Sequence, residues 1–208
     1  MSENTQIRGS LIADPGPLGL AGFALTTFCL SAINAGLVAK EALGVVIGLA
    51  IIYGGTAQLL AGMWEFKKNN VFGATAFSSY GGFWIAFAIF EMGNILNWFA
   101  VPEQGVLLFL IAWTIFTFYM WLGSFALNKA LITVFTALLG TFILLDIGAA
   151  GVPAAHIAGG YLGLFTAFAA WYASAAGILN TVYGREVLPV GPMNSCNLSH
   201  GSDEKVGI

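Results

Sequence analysis

The sequence predicts an all-α, polytopic membrane protein, a bundle of six transmembrane helices with both termini cytoplasmic. Three observations lead there: an extreme composition, six long apolar windows, and a one-sided distribution of lysine and arginine. Of 208 residues, 58% are hydrophobic and only 8% are charged, against about 25% charged in an ordinary soluble domain. A water-soluble fold of this size has too little polar surface to cover so much apolar material, so the solvent has to be lipid. The net charge of −3 is spread thinly and excludes a nucleic-acid surface.

A helix crossing the hydrocarbon core needs about 20 mostly apolar residues. Six windows meet this: Pro17–Val38, Leu43–Trp64, Thr75–Trp98, Gly105–Leu127, Ile132–Ala149 and Ala155–Leu179. The segments between them (AKEA, EFKKNNVFG, FAVPEQ, NKAL, AGVPA) are too short for a soluble domain. The chain therefore divides into a polar N-terminal segment (1–14), a six-helix domain (15–184) and a C-terminal tail (185–208). No apolar stretch follows a basic start, so a cleaved signal peptide is not expected.

Lysine and arginine outside the spans set the orientation. With the N-terminus cytoplasmic, Arg8, Lys67, Lys68, Lys129, Arg185 and Lys205 fall inside and Lys40 alone falls outside. The tail, and with it the Asn197-Leu-Ser199 sequon, is then cytoplasmic. Cys29 lies in an apolar window and Cys196 in the tail, so two free thiols are expected rather than a disulfide. A multi-pass protein of the cell (inner or plasma) membrane is the implied localisation.

Small residues form stripes, at Gly44, Gly48, Gly55 and Gly62 in the second window and at Gly159, Gly163, Ala167, Ala170 and Ser174 in the sixth. Lipid offers no hydrophobic force between helices, so such stripes serve close backbone approach within the bundle or between copies. Polar residues inside a span are the functional candidates. Phe23, Thr27, Leu30 and Asn34 share a face of the first window, with Thr26 beside it. Gly55, Gln58, Gly62 and Glu65 share a face of the second. Thr75, Ser78, Ser79 and Tyr80 open the third. Each has a plainer reading, a hydroxyl bonding its own helix or an amide joining two helices. Three converging polar faces favour a pathway.

No span centre holds Lys or Arg. An anionic solute would then be held by hydroxyls, amides and helix N-termini, a donor set weak enough to permit release. Burying a bare carboxylate is costly, which favours crossing in protonated form or with a proton. Glu65, Glu91, Glu103, Asp146 and His156 sit toward span ends, as proton relays or as interfacial caps and helix–helix bonds. Ser124 and His156 lie in no hydrolase or zinc-protease motif, and no P-loop is present. Neither catalysis nor a cofactor nor a metal is expected.

Several ordered blocks carry a resemblance. Asp14-Pro-Gly-Pro-Leu-Gly-Leu20 looks like the N-P-x-P-L-G-L opening of the GPR1/FUN34/YaaH group of acetate and succinate transporters. The likeness continues through Gly22-Phe23, Thr26-Thr27, Tyr53-Gly-Gly-Thr-Ala-Gln58, Ala61-Gly62 and Glu65-Phe-Lys-Lys-Asn69. It runs on through Phe72-Gly73, Thr75-Ala-Phe-Ser-Ser-Tyr-Gly81 and Phe83-Trp84, then His156-Ile-Ala-Gly159 and Gly184-Arg-Glu-Val-Leu-Pro-Val-Gly191. The resemblance implies a six-helix protomer in a homo-oligomer, a hexamer in the family. It implies transport of acetate, related short carboxylates and in some members succinate, by proton symport or a channel-like pore. It also implies a narrow constriction of Phe23, Tyr80 and Leu138. Among the polar residues of the first three windows, Thr26, Thr27, Gln58 and Ser79 are the candidates for substrate contact. Where the motif usually begins with Asn this chain has Asp14, which is expected to cap the first helix at the entrance rather than bind substrate. Two other readings compete: a channel for a small neutral solute such as urea or ammonia, and a sensor that binds acetate without moving it.

Overall fold

The computed structural model describes residues 12–193; Arg8, Lys205, Cys196 and the Asn197 sequon lie outside the described residues. Six helices are long and apolar enough to cross a membrane: α1 Gly16–Asn34, α2 Lys40–Lys67, α3 Val71–Ile95, α4 Glu103–Ser124, α5 Lys129–Ala149 and α6 Pro153–Tyr183. Among the described residues there is no strand, only one isolated bridge between Asn128 and Pro192.

Local chemistry sets the ends. Pro17 lies in the first turn of α1, where its missing N–H costs nothing, and Gly36 reverses the chain after it with φ +73°. Asn69 takes φ +61° between α2 and α3, a conformation asparagine tolerates. The next residue, Asn70, caps α3 by accepting from the Gly73 N–H at 3.1 Å. That cap starts α3 a turn before the expected Thr75. Asn128 caps α5 in the same way, accepting from Leu131 N–H at 2.9 Å. Gly184, at φ +62°, ends α6, one turn past the expected Leu179.

The helices close a ring. α4 packs on α5, α5 on α6, α6 on α1, α1 on the middle and second half of α2, and α2 on α3. Where α3 returns to α4 the backbones stay apart and rings fill the seam. Phe83 stacks on Phe109 at 5.3 Å, and Tyr80 meets Phe116 edge-on at 5.2 Å. Such pairs contribute about 0.5–1.5 kcal/mol each beyond their burial.

The stripe on α6 serves packing against both neighbours: a Cβ on Gly163 would strike the Ser31 side chain of α1, one on Gly159 would press on Leu144 and Leu145 of α5, and Ser174 donates to the Pro17 carbonyl of α1 at 2.7 Å. The stripe on α2 is split. A Cβ on Gly62 would strike Ser78 of α3, while one on Gly44 or Gly48 would meet nothing within 4 Å.

The second span is not one regular helix. Ile52–Ala57 is a π-helical turn between the α-helical segments Leu43–Ile51 and Gln58–Lys67. Its widened ladder carries the Thr56 hydroxyl onto the Ile51 carbonyl at 2.7 Å. The turn lies where α1 and α2 nearly touch: a Cβ on Gly22 would come 2.6 Å from the Tyr53 carbonyl oxygen, and one on Gly54 would strike the Thr26 side chain.

Candidate functional site

Two cavities enter the ring from opposite ends. The lower one, about 430 Å3, opens at the end where α1 begins, among Asp14, Lys68, Asn70, Asn128 and Asn180. The upper one, about 380 Å3, opens at the other end, among Asn34, Lys40, Glu91 and His156. Exactly three residues line both: Phe23 of α1, Tyr80 of α3 and Leu138 of α5. They are 6%, 3% and 4% exposed, and the Phe23 and Tyr80 ring centroids lie 5.8 Å apart. The wall common to the two cavities is thus an apolar layer drawn from three alternate helices, carrying one polar atom, the tyrosine oxygen. That oxygen lies 2.9 Å from the Thr117 hydroxyl of α4.

Buried polar groups without partners sit on both sides of this layer. Gln58 lines the lower cavity and is 1% exposed; its Oε1 has no hydrogen-bond partner among the described residues. Thr27 lines the upper cavity with an unpartnered Oγ1, and Trp84 lines it with an unpartnered Nε1. Leaving such a group unmet costs about 1–3 kcal/mol, and a polar solute entering either cavity can meet it.

The remaining residues singled out by the sequence divide. Thr26 is fully buried, donates to the Gly22 carbonyl at 2.9 Å, and lines neither cavity. Its part in the fold is the contact between α1 and the π turn. Ser79 is half-buried and lines neither cavity. Asp14 stands at the lower mouth, one residue before the N-cap position held by Pro15, and accepts from the Gly16 N–H at 3.0 Å. It also forms an ion pair with Lys68 at 2.7 Å. Asp146 accepts from Thr114 of α4 at 2.7 Å and lines neither cavity.

Three features escape sequence reading. Glu65 stands at the end of its span as expected, yet it is 1% exposed inside the lower cavity, its Oε2 accepting from Asn70 Nδ2 at 2.9 Å. Trp84 reads as a core aromatic until the cavity beside it is seen. A strap after α6 runs back over the lower mouth. Asn180 Oδ1 accepts from the Val187 and Leu188 N–H groups at 2.7 and 3.0 Å, and its Nδ2 donates to the Leu188 carbonyl at 2.9 Å. Val190 then lines the cavity. The Asn180 side chain, one turn before a helix end, is the signal that could have found it.

The fold and site define a class: a multi-pass helical membrane protein whose two cavities meet at a narrow apolar layer. Residues 2–195 match the GPR1/FUN34/yaaH family, and the chain belongs to that family. It is 45% identical over 195 residues to Acetate permease A of Emericella nidulans, covering 86% of this chain and 65% of that longer protein. It is 40% identical over 183 residues to the succinate-acetate/proton symporter SatP of Escherichia coli K12, covering 86% of this chain and 96% of that one. A solved structure of the bacterial acetate channel SatP superposes with a TM-score of 0.83 at 39% identity, covering 86% and 99% of the two chains.

Proposed function

We propose that this protein moves acetate and related short carboxylates, succinate among them, across the cell membrane. The path runs through the two cavities and past Phe23, Tyr80 and Leu138. The observation that carries this reading is that two cavities from opposite ends share those three residues and no others. An apolar layer excludes hydrated ions by dewetting, and the groups on either side suit a solute with one polar end. Trp84 and Thr27 can donate to a carboxylate above the layer, and Gln58 can meet its polar end below.

The names of the relatives, a permease, a proton symporter and a channel, support transport and give no support to catalysis. The positive-inside bias supports a lower mouth that faces the cytoplasm. Assembly as a hexamer follows from the family resemblance, and the exposed apolar side chains of α4 (Leu108, Ile115, Leu122) suit contact with lipid or another copy.

The test is labelled acetate uptake into proteoliposomes, with and without an inward proton gradient, against empty liposomes. Protein-dependent uptake that unlabelled acetate competes away, and urea or ammonium does not, is the expected result. Competition by urea or ammonium would favour the neutral-solute pore, and binding without uptake would favour a sensor.

A further inference from the structure

We infer that Glu65 is the group with which the transported carboxylate shares its proton, so that the solute reaches the apolar layer as a neutral acid. This rests on the transport reading above. Glu65 is buried in the lower cavity, between the first turns of two other helices. Its Oε1 stands beside Gly16 of α1, where a Cβ would come to 3.5 Å, and its Cδ beside Gly73 of α3, where a Cβ would come to 2.9 Å. Only glycine leaves room for it at Gly73. Asn70 both caps α3 and donates to Glu65 Oε2, so the carboxyl group is fixed and not a frayed surface side chain.

The charged groups around it are few. Lys68 and Asp14 are its ionic neighbours, and they are paired with each other at 2.7 Å. From α1 and α3, the helices packed on this part of α2, the lower cavity receives one further ionisable group, Tyr80 in the apolar layer. An entering carboxylate therefore finds the one lysine of this cavity engaged and a second carboxylate in its path.

Two carboxylates confined in an apolar space cannot both stay ionised, and they hold one proton between them. The exchange balances: protonated Glu65 gives its proton to the incoming carboxylate, leaving ionised Glu65 and a neutral acid, and a proton from the bulk solution, relayed by water at the mouth, restores protonated Glu65. Gln58 lies seven residues earlier on the same face, about 10 Å along the axis. It is level with Gly22, whose Cβ would come 3.6 Å from the Gln58 Cβ. Its unpartnered Oε1 can accept the acid O–H beside Phe23, a bond that a carboxylate cannot donate.

The experiment is the pH profile of acetate exchange, at saturating acetate with equal pH on both sides, for the full chain in proteoliposomes with the empty-liposome rate subtracted. In wild type the shared proton keeps exchange constant to a higher pH than acetate alone can sustain. In Glu65→Gln, which can still accept from Asn70, the midpoint of the profile moves down by about one pH unit or more, and rates at the acid plateau stay within about threefold of wild type. Parallel profiles with a common midpoint overturn the inference. A wild type that exchanges no acetate at any pH overturns the transport reading itself, a different result. A measurement on purified wild type keeps the inference testable if Glu65→Gln does not fold. Adding acetate is expected to change the infrared band of a protonated carboxyl side chain, and Glu65→Asp to move that band; an unchanged wild-type band overturns it.

Discussion

The Tyr80 hydroxyl lies 2.9 Å from the Thr117 hydroxyl, across the aromatic seam that joins α3 to α4. The one polar atom of the apolar layer is therefore turned sideways, into the wall of the bundle. Its ring does the work of narrowing the path, and its hydroxyl ties the ring to the neighbouring helix. Tyr80→Phe is expected to keep acetate flux within about threefold while lowering stability by about 1 kcal/mol, the worth of one buried hydrogen bond. Tyr80→Ala is expected to join the cavities and to admit larger carboxylates; transport assays with benzoate beside acetate check both.

Phe23 closes the same layer from α1. Phe23→Ala is expected to change acetate flux and weaken its discrimination against larger acids, with membrane insertion intact. Unchanged flux and selectivity in both Phe23→Ala and Tyr80→Ala would remove the constriction from the mechanism.

Gly22 faces the Tyr53 carbonyl at the π turn. Gly22→Ala must part α1 from α2, because the clashing atom belongs to backbone, and is expected to cost about 1–3 kcal/mol. Gly82, on the other side of α3, has nothing within 4 Å of its would-be Cβ. Gly82→Ala is expected to be neutral or to stabilise by up to about 1 kcal/mol, as alanine does in a helix. Thermal unfolding of the two variants in detergent, side by side, makes the comparison.

Asp14 bonds the Gly16 N–H and pairs with Lys68 in a partly exposed setting, at 51% and 29% exposure. Asp14→Asn keeps the first interaction and loses the second, so the expected cost is below about 1 kcal/mol and transport persists. A large loss of transport with normal stability would assign the negative charge its own part at the entrance.

Asn180 makes all three of its hydrogen bonds to the strap over the lower mouth. Asn180→Ala is expected to leave the helices intact and to speed hydrogen exchange of Val187–Val190 by about tenfold or more. Exchange unchanged from wild type would show that the strap is held without Asn180, by the Tyr172–Pro189 bond and the Lys129–Gly191, Ala130–Val190 and Met193–Leu127 backbone bonds.

Much of this was legible in the sequence, because in lipid the backbone must satisfy itself and apolar length counts helices directly. All six spans fall where hydropathy puts them, within a turn or so. Phe23, Tyr80 and Leu138 came from motif likeness, since their spacing carries no sign that α1, α3 and α5 meet at one level. The π turn was hidden because Tyr53-Gly-Gly-Thr is as apolar as its flanks; the widening answers to Gly22 on another helix. Glu65 was read as interfacial because it stands near the end of its span. Its burial depends on the caps of α1 and α3 folding over it, a tertiary fact. Thr26 stood beside a polar face of its window and Ser79 in the polar opening of the third, and such a place does not tell a cavity from a packing face.

The layer shared by the two cavities is one side chain thick, and that thickness has an electrical consequence. Water entering from both ends confines most of the transmembrane voltage to the gap between Phe23, Tyr80 and Leu138. A charge crossing that gap gains or loses about 2.3 kcal/mol per 100 mV in a single step, so the ratio of an ion's inward to outward flux changes about tenfold for every 60 mV. A neutral acid crosses the same gap without reference to the voltage, and the slope of flux against membrane potential therefore reads directly which species passes.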